Sequence, residues 1–357
     1  MRAWDEAERA MRGPGVALDE GAAHDAGATA RPVAAEPGDL PPGAHRHGDE
    51  VHLEDHPHPH VAADDEGRPV LGFIGAGPVG TALAVAFHRA GWPVGAVASR
   101  DAGRRERFVS LVPGALAFAD ARTLPEACHL IFVTVPDDAI SSVASSLRLY
   151  SGQAIVHTSG AAGAEVLGPA LAAGTQAGSF HPLVAFTDVE RAVQALRGAT
   201  IAVEGEPPLI GLLAEMAEAV GGTPVRLPPG SKPAYHAAAV LAAAGVVSLL
   251  DAITELARVA GLTEHEALAV YIPLMEGTLD NARSLGISAA LTGPMTRGDV
   301  GTLEAHAVTL AAQAPELARL HRELTLRAIS IAAARGAIDD ATADRLRAAL
   351  AGSRAPS

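Results

Sequence analysis

At 357 residues the chain is long enough for about two domains, and 48% hydrophobic residues can fill a sizeable core. A net charge of −14 argues against a nucleic-acid binder, which needs clustered basic side chains to neutralise phosphates. One cysteine, Cys128, excludes an intrachain disulfide and fits a reducing, cytoplasmic setting.

Residues 1–68 carry 15 Asp/Glu against 6 Arg, with no apolar periodicity. Such a segment buries too little apolar area to offset its ordering entropy, so a disordered acidic tail is expected. Its His45, His47, His52, His56, His58 and His60 could bind a divalent metal weakly, but a solvated tail is the simpler reading and no metal site is assigned. Residues 1–30 lack the apolar stretch of a signal peptide. The longest nearly apolar run, Ala237–Leu250, reads as too short to span a bilayer, so no membrane is expected.

From Pro69 the pattern alternates. Val70–Ile74, Val94–Ala98, Leu130–Val135, Ala154–His157 and Thr200–Val203 read as buried parallel strands. Helical periodicity fills the gaps at Val79–Ala90, Asp138–Leu147 and Pro208–Val220. The alternation predicts an α/β domain over residues 69–229 with a doubly wound, mostly parallel sheet. Pro228-Pro229-Gly230 marks a boundary. Residues 230–352 then read as all-helical: one long helix over Pro233–Ala260, then Glu264–Leu285, Val300–Ala312, Pro315–Arg335 and Asp340–Leu350. The first of these is apolar nearly all round, which predicts burial on every side, partly against a second copy in a homodimer.

The first strand runs into Gly75-Ala76-Gly77-Pro78-Val79-Gly80, a G-x-G-x-x-G turn opening a helix. Gly75 permits the tight turn, Gly77 lets a pyrophosphate approach bare backbone, and Gly80 lets helix and sheet pack closely. Pro78 suits the first helical position, and the free N–H groups of Val79 and Gly80 with the helix dipole favour phosphate. The second strand ends in Ser99-Arg100 where an NAD site would place Asp or Glu; hydroxyl plus guanidinium suits a 2′-phosphate, so NADP is expected. Asp101 reads as the cap of the next helix. Thr134, Val135 and Pro136 follow the third strand at the ligand edge, and Ser159-Gly160 follows the fourth. His157 reads as a satisfied buried histidine, and Cys128 as a core thiol.

Lys232 is the only lysine; the other 26 basic residues are arginine. It shares a helical turn with Tyr235 and His236. An amine at a helix N-terminus or buried has a lowered pKa and can exchange a proton with a carbonyl oxygen, which Arg cannot. A chance surface lysine is the alternative. Asn281, the single asparagine, binds substrate together with Thr278 or is an exposed helix residue. His181, fixed by Pro182, donates to a substrate oxygen or is structural in a turn. Arg297 clamps an anion or braces its loop, and Asp299 reads as an N-cap.

Seven stretches together, "GFIGAGPVGTALA", "VPDDAI", "HTSGA", "SFHPL", "YHAAAV", "PLMEGTL" and "ALTGPMTRGDVGTLEAH", resemble the Rossmann-like proteins carrying the domain of unknown function 2520. The resemblance covers about Val70 to Leu310. That family is similar to ketopantoate reductase, pyrroline-5-carboxylate reductase and the 6-phosphogluconate dehydrogenase-like enzymes. It implies an NADP-binding domain, a helical domain, often a dimer, and a helical-domain Lys or Asn at the substrate carbonyl, the places of Lys232 and Asn281. The expected function is an NADP-dependent oxidoreductase reducing a carbonyl or imine of a small, anionic metabolite. In it Lys232 is the proton donor, and His181, His236 and Asn281 orient the substrate. The alternative is a non-catalytic NADP-binding regulatory or partner-binding protein.

Overall fold

A computed structural model describes residues 44–47, 50–53, 67–172 and 175–351. Most of the expected acidic tail, its histidine side chains included, lies outside the described residues. Within it, β1 (Ala44–His47) and β2 (Glu50–Leu53) form an antiparallel hairpin whose backbone pairs His45 with His52.

Among the described residues of the rest of the chain, eight strands form one sheet in the order β10-β9-β8-β7-β6-β3-β4-β5. They are β3 (Leu71–Ile74), β4 (Val94–Ala98), β5 (Leu116–Phe118), β6 (Leu130–Val133), β7 (Ala154–His157), β8 (Gln176–Pro182), β9 (Thr200–Gly205) and β10 (Thr223–Arg226). Every residue of β3, β6 and β7 is buried, as expected where helices cover both faces of a parallel sheet. The helices α1 (Pro78–Arg89), α2 (Ala102–Leu111), α3 (Ile140–Ser146), α4 (Gly168–Ala172), α5 (Val189–Ala195) and α6 (Leu209–Ala219) provide that cover. β3 pairs in parallel with both β4 and β6, so the chain winds outward in both directions from β3 and leaves a crevice at the carboxyl ends of β3 and β6.

One face of the sheet is held by phenylalanine. Phe73 stacks on Phe132 at 5.2 Å, and Phe132 meets Phe180 edge-on at 5.8 Å, with Phe87 from α1 beside both. Truncating any one to Ala costs about 3–5 kcal/mol, a large share of a typical domain's stability. On the other face Cys128 is a core thiol, as expected; a Cβ on Gly72 would meet its Sγ at 2.6 Å. Burial pushes this thiol up to about 12, so it is not a nucleophile at neutral pH.

Two strand expectations change. Thr200–Val203 does lie in the sheet, but β9 runs antiparallel to β8, pairing Ser179 with Glu204 and Phe180 with Val203. An apolar run reads the same in either direction, so periodicity could not decide this. β5 and β10 are short, partly exposed edge strands that periodicity did not mark.

The helical half comprises α7 (Lys232–Ala242), α8 (Ala244–Val259), α9 (Glu264–Leu285), α10 (Ile287–Ala290), α11 (Pro294–Arg297), α12 (Val300–Gln313), α13 (Pro315–Ala334) and α14 (Asp340–Ala351). The long helix expected over Pro233–Ala260 breaks at Ala243, at φ −106° and ψ −80°. The break lies two residues before Gly245, which favours a helix interior about 1 kcal/mol less than alanine does. Nor is this segment buried on every side within one chain: Leu241 is 73% and Val247 67% exposed. Apolar pattern reports what must leave water, not which copy of the chain covers it. Lys232–Val259 as a whole, longer than the Ala237–Leu250 run, is long and apolar enough to cross a membrane by length and composition. Leu303, Ile329, Leu346 and Leu350 form a small core joining α12, α13 and α14.

Candidate functional site

The glycine turn divides its labour by steric demand. Gly75 sits at φ +109°, and a Cβ there would lie 2.4 Å from the Thr134 carbonyl oxygen. A Cβ on Gly80 would lie 2.3 Å from both the Gly75 carbonyl oxygen and Thr134 Oγ1. Gly77 differs, because a Cβ there would meet nothing within 4 Å. Gly75 and Gly80 are therefore glycine for the protein's own sake, while Gly77 leaves bare backbone facing open space. Gly77 is also the N-cap of α1, with Pro78 in its first turn and no side-chain cap. The amides of Val79 and Gly80 point out of the helix N-terminus, an arrangement that fits a pyrophosphate.

Thr134 has a more internal role than a ligand contact. Its hydroxyl donates to the Gly75 carbonyl at 2.8 Å, with the Ile74 carbonyl at 3.2 Å, and so ties the β6 loop to the glycine turn. Val135 beside it is half-buried against the core, while Pro136 is exposed. At the end of β4, Arg105 Nη1 donates to the Ser99 carbonyl at 2.5 Å. Asp101 caps α2, as expected, accepting from the Arg104 amide at 3.0 Å. The carboxylate is thereby committed to the helix end, and Arg100 remains exposed beside it. That combination suits a ribose 2′-phosphate.

The second centre is set by sheet register. His157 on β7 pairs with Ser179 on β8, and Ser179 with Glu204 on β9. These three side chains line up across adjacent strands, and Lys232, at the first turn of α7, enters beside them. Its Nζ lies 2.9 Å from Ser179 Oγ and 3.2 Å from Glu204 Oε2. Ser179 Oγ donates to Glu204 Oε2 at 2.7 Å. Lys232 is 2% and Glu204 19% exposed. Burial pulls the Lys232 pKa below its usual value, opposed by the charge and hydrogen bond of Glu204.

Two neighbouring imidazoles, His157 and His181, are held neutral at neutral pH. His157 Nδ1 accepts from the Ser159 amide at 3.1 Å, which leaves Nε2 to donate to the Gly163 carbonyl at 3.0 Å. It is the satisfied buried histidine expected, lowered to about 4 first by burial and then by Lys232. His181 is also lowered to about 4, first by burial, then by Lys232 and His236. His181 packs edge-on against His236 at 5.6 Å and Tyr235 at 6.1 Å. A Cβ on Gly160 would lie 2.3 Å from His236 Nδ1 and 2.6 Å from His181 Nε2, so the imidazoles close directly over that backbone. His181 Nδ1, His236 Nδ1 and Tyr235 Oη are buried with no hydrogen-bond partner among the described residues. Such atoms are costly unless a ligand satisfies them.

Lys232, His181 and His236 thus come together. Asn281 does not join them: it is exposed on α9, which packs on α8 and α10. Thr278 donates to the Leu274 carbonyl of its own helix. Ser159 spends its hydroxyl on the Asp137 carboxylate at 2.7 Å and on the amides of Ala161 and Ala162, joining two loops. Arg297 pairs with Asp299 at 2.8 Å, a loop brace, and Asp299 makes no side-chain cap. The site also holds Ser179 and Glu204, which sequence reasoning missed. The available signal was a carboxylate closing the otherwise apolar strand Thr200-Ile201-Ala202-Val203-Glu204.

A Rossmann-like profile matches residues 58–182, and the profile of the domain of unknown function DUF2520 matches residues 199–328. Among solved structures, a Bacteroides fragilis protein described as a candidate NADP oxidoreductase is 23% identical, with a TM-score of 0.59 over 74% of this chain and 98% of its own. A Thermotoga maritima protein is 26% identical, with a TM-score of 0.58 over 71% and 98%. The reductive aminase of Aspergillus terreus, in complex with NADPH and ethyl levulinate, is 20% identical, with a TM-score of 0.55 over 78% and 98%. No curated protein matches the sequence.

Proposed function

We propose that this chain, which belongs to the Rossmann-like proteins carrying a DUF2520 domain, is an NADP-dependent oxidoreductase acting on a carbonyl or imine carbon of a small metabolite. The observation that carries the reading is Lys232: the only lysine of the chain is buried at the carboxyl edge of the sheet, between Ser179 and Glu204. The bare backbone of Gly77–Gly80 and the exposed Arg100 are the groups that would hold the pyrophosphate and the 2′-phosphate. The nicotinamide, when bound, supplies the hydride.

The chain's own residues do the rest. Lys232 gives a proton to the substrate oxygen or nitrogen as negative charge develops there. His181, His236 and Tyr235 present unpartnered polar atoms that orient the substrate. The Lys232 charge is already matched by Glu204, and His157 and His181 are neutral. This cluster therefore serves proton transfer and hydrogen bonding rather than anchoring an anion, and the anionic substrate expected from sequence loses its support here. The exposed apolar side chains of α7 and α8 are read as the face that meets a second copy of the chain.

Titrating NADPH and NADH by nucleotide fluorescence tests the cofactor half; equal affinities, or none, would refute it. A screen of small carbonyl and imine compounds, following nicotinamide absorbance, separates an enzyme from an NADP-binding regulator, since only the enzyme lets an acceptor oxidise the bound nucleotide.

A further inference from the structure

We propose that Glu204, acting through contact with Lys232 and with Ser179 as the bridge, is a positioning residue that keeps the lysine side chain charged and aimed inside the closed site. The assignment deepens the reading of Lys232 as proton donor and rests on it.

The argument begins with what surrounds the ammonium. β7 contributes His157, β8 contributes Ser179 and His181, β9 contributes Glu204, and α7 adds His236 next to His181. Asp137 and Glu165 act on Lys232 by charge alone and are exposed, so solvent screens them. Glu204 is the carboxylate in contact, and its exposure is low. A lone amine buried this deeply gives up its proton, and a neutral amine cannot be a proton donor. Contact with a carboxylate opposes that tendency.

Two further observations separate this role from simple scaffolding. The chain uses arginine at every other basic position, and arginine pairs with a carboxylate more strongly and in two-pronged geometry. A pair kept only for structure would have no use for the single lysine. Moreover, an ammonium has three donors. One hydrogen-bonds Ser179, the charge rests against Glu204 at 3.2 Å, and no hydrogen bond from the ammonium to any other described residue is found. Ser179 is oriented without ambiguity: its proton goes to Glu204, so its lone pair must face Lys232. The network anchors the ammonium on Ser179 and Glu204 and leaves donor capacity for a substrate atom.

Because Lys232 is the only lysine, protein made with lysine labelled at Cε gives one side-chain NMR resonance, and its titration reads the Lys232 pKa directly on the folded chain, without substrate. We expect the midpoint to fall by at least one pH unit in Glu204→Gln, to fall less in Ser179→Ala, and to return most of the way in Glu204→Asp. In steady-state assays the alkaline limb of kcat/KM moves down by the same amount in Glu204→Gln. Unchanged midpoints in folded Glu204→Gln and Ser179→Ala overturn the proposal. Should Glu204→Gln fail to fold, Ser179→Ala and Glu204→Asp decide it by the same titration. A shifted midpoint in a chain that oxidises NADPH with none of the screened acceptors would sink the oxidoreductase reading and leave the Glu204 assignment standing.

Discussion

Ser179 and Glu204 face each other across the antiparallel junction of the sheet, and the serine hydroxyl donates to the carboxylate at 2.7 Å. The register of that junction sets Glu204 level with Ser179 and with His157, the last residue of β7, and so places a carboxylate at the carboxyl edge of the parallel strands, beside Lys232. A one-residue slip of β9 would turn the Glu204 side chain to the other face of the sheet and leave the buried ammonium without that counter-charge.

The ion pair has a stability signature. Lys232→Met strands the Glu204 carboxylate, and breaking a buried pair by removing one partner costs about 3–5 kcal/mol. Glu204 retains some solvent contact, so the cost should fall at or below the lower end. The double variant Lys232→Met/Glu204→Gln removes both charges and should be more stable than Lys232→Met alone. Urea denaturation at neutral pH measures both; equal stability of the single and double variants would contradict the ion pair.

Acid should weaken the fold through His157. Its pKa is depressed from 6.5 to about 4 when folded, so the unfolded chain binds more protons between those values. Stability is therefore fully present above about 6.5, falls as pH drops, and is lost through about 4. The ceiling of this contribution is about 3 kcal/mol, from 1.36 kcal/mol per unit. Replacing His157 with Gln should flatten the decline between pH 6.5 and 4.5, measured by denaturation at several pH values. A slope identical to wild type would remove His157 as the source.

The glycines should separate by phenotype. Gly77→Ala has open space and an ordinary φ of −78°, so the variant should fold normally and bind NADPH at least tenfold more weakly. Gly80→Ala forces a Cβ against the Gly75 carbonyl and Thr134, and should lose about 1–3 kcal/mol of stability. Thermal melts paired with NADPH titration distinguish the two. Normal NADPH binding by Gly77→Ala would place the phosphates elsewhere.

Much of this was readable in the chain itself, for definite reasons. Val94–Ala98 and Ala154–His157 are apolar runs because helices cover both faces, and the strand bounds match. The glycine turn was legible because its spacing encodes local sterics. Lys232 was legible because a lone lysine among arginines is a compositional anomaly. Glu204 was not, since its partners are set by strand direction and by a contact across sequence; Lys232 and Ser179 lie 53 residues apart. Asn281 was not placed by its rarity, which does not say which way a helix residue faces; within one chain it is exposed on α9.

The exposed face of α7 and α8 should bring two copies together. Wild-type protein is expected to elute as a dimer under light scattering, and Leu241→Asp with Val247→Asp to shift it toward monomer without loss of helix content. A monomeric wild type would contradict this, and membrane sedimentation of the wild type would point instead to the apolar Lys232–Val259 segment meeting lipid.

The most direct test is single-turnover oxidation of bound NADPH by an acceptor taken from the carbonyl and imine screen, comparing wild type with Lys232→Arg. Arginine keeps the positive charge beside Glu204 but cannot release its proton. The expected result is NADPH affinity within about twofold of wild type and oxidation slower by roughly 10²–10⁴, the usual weight of general acid catalysis. Equal oxidation rates in the two proteins would contradict proton donation by Lys232.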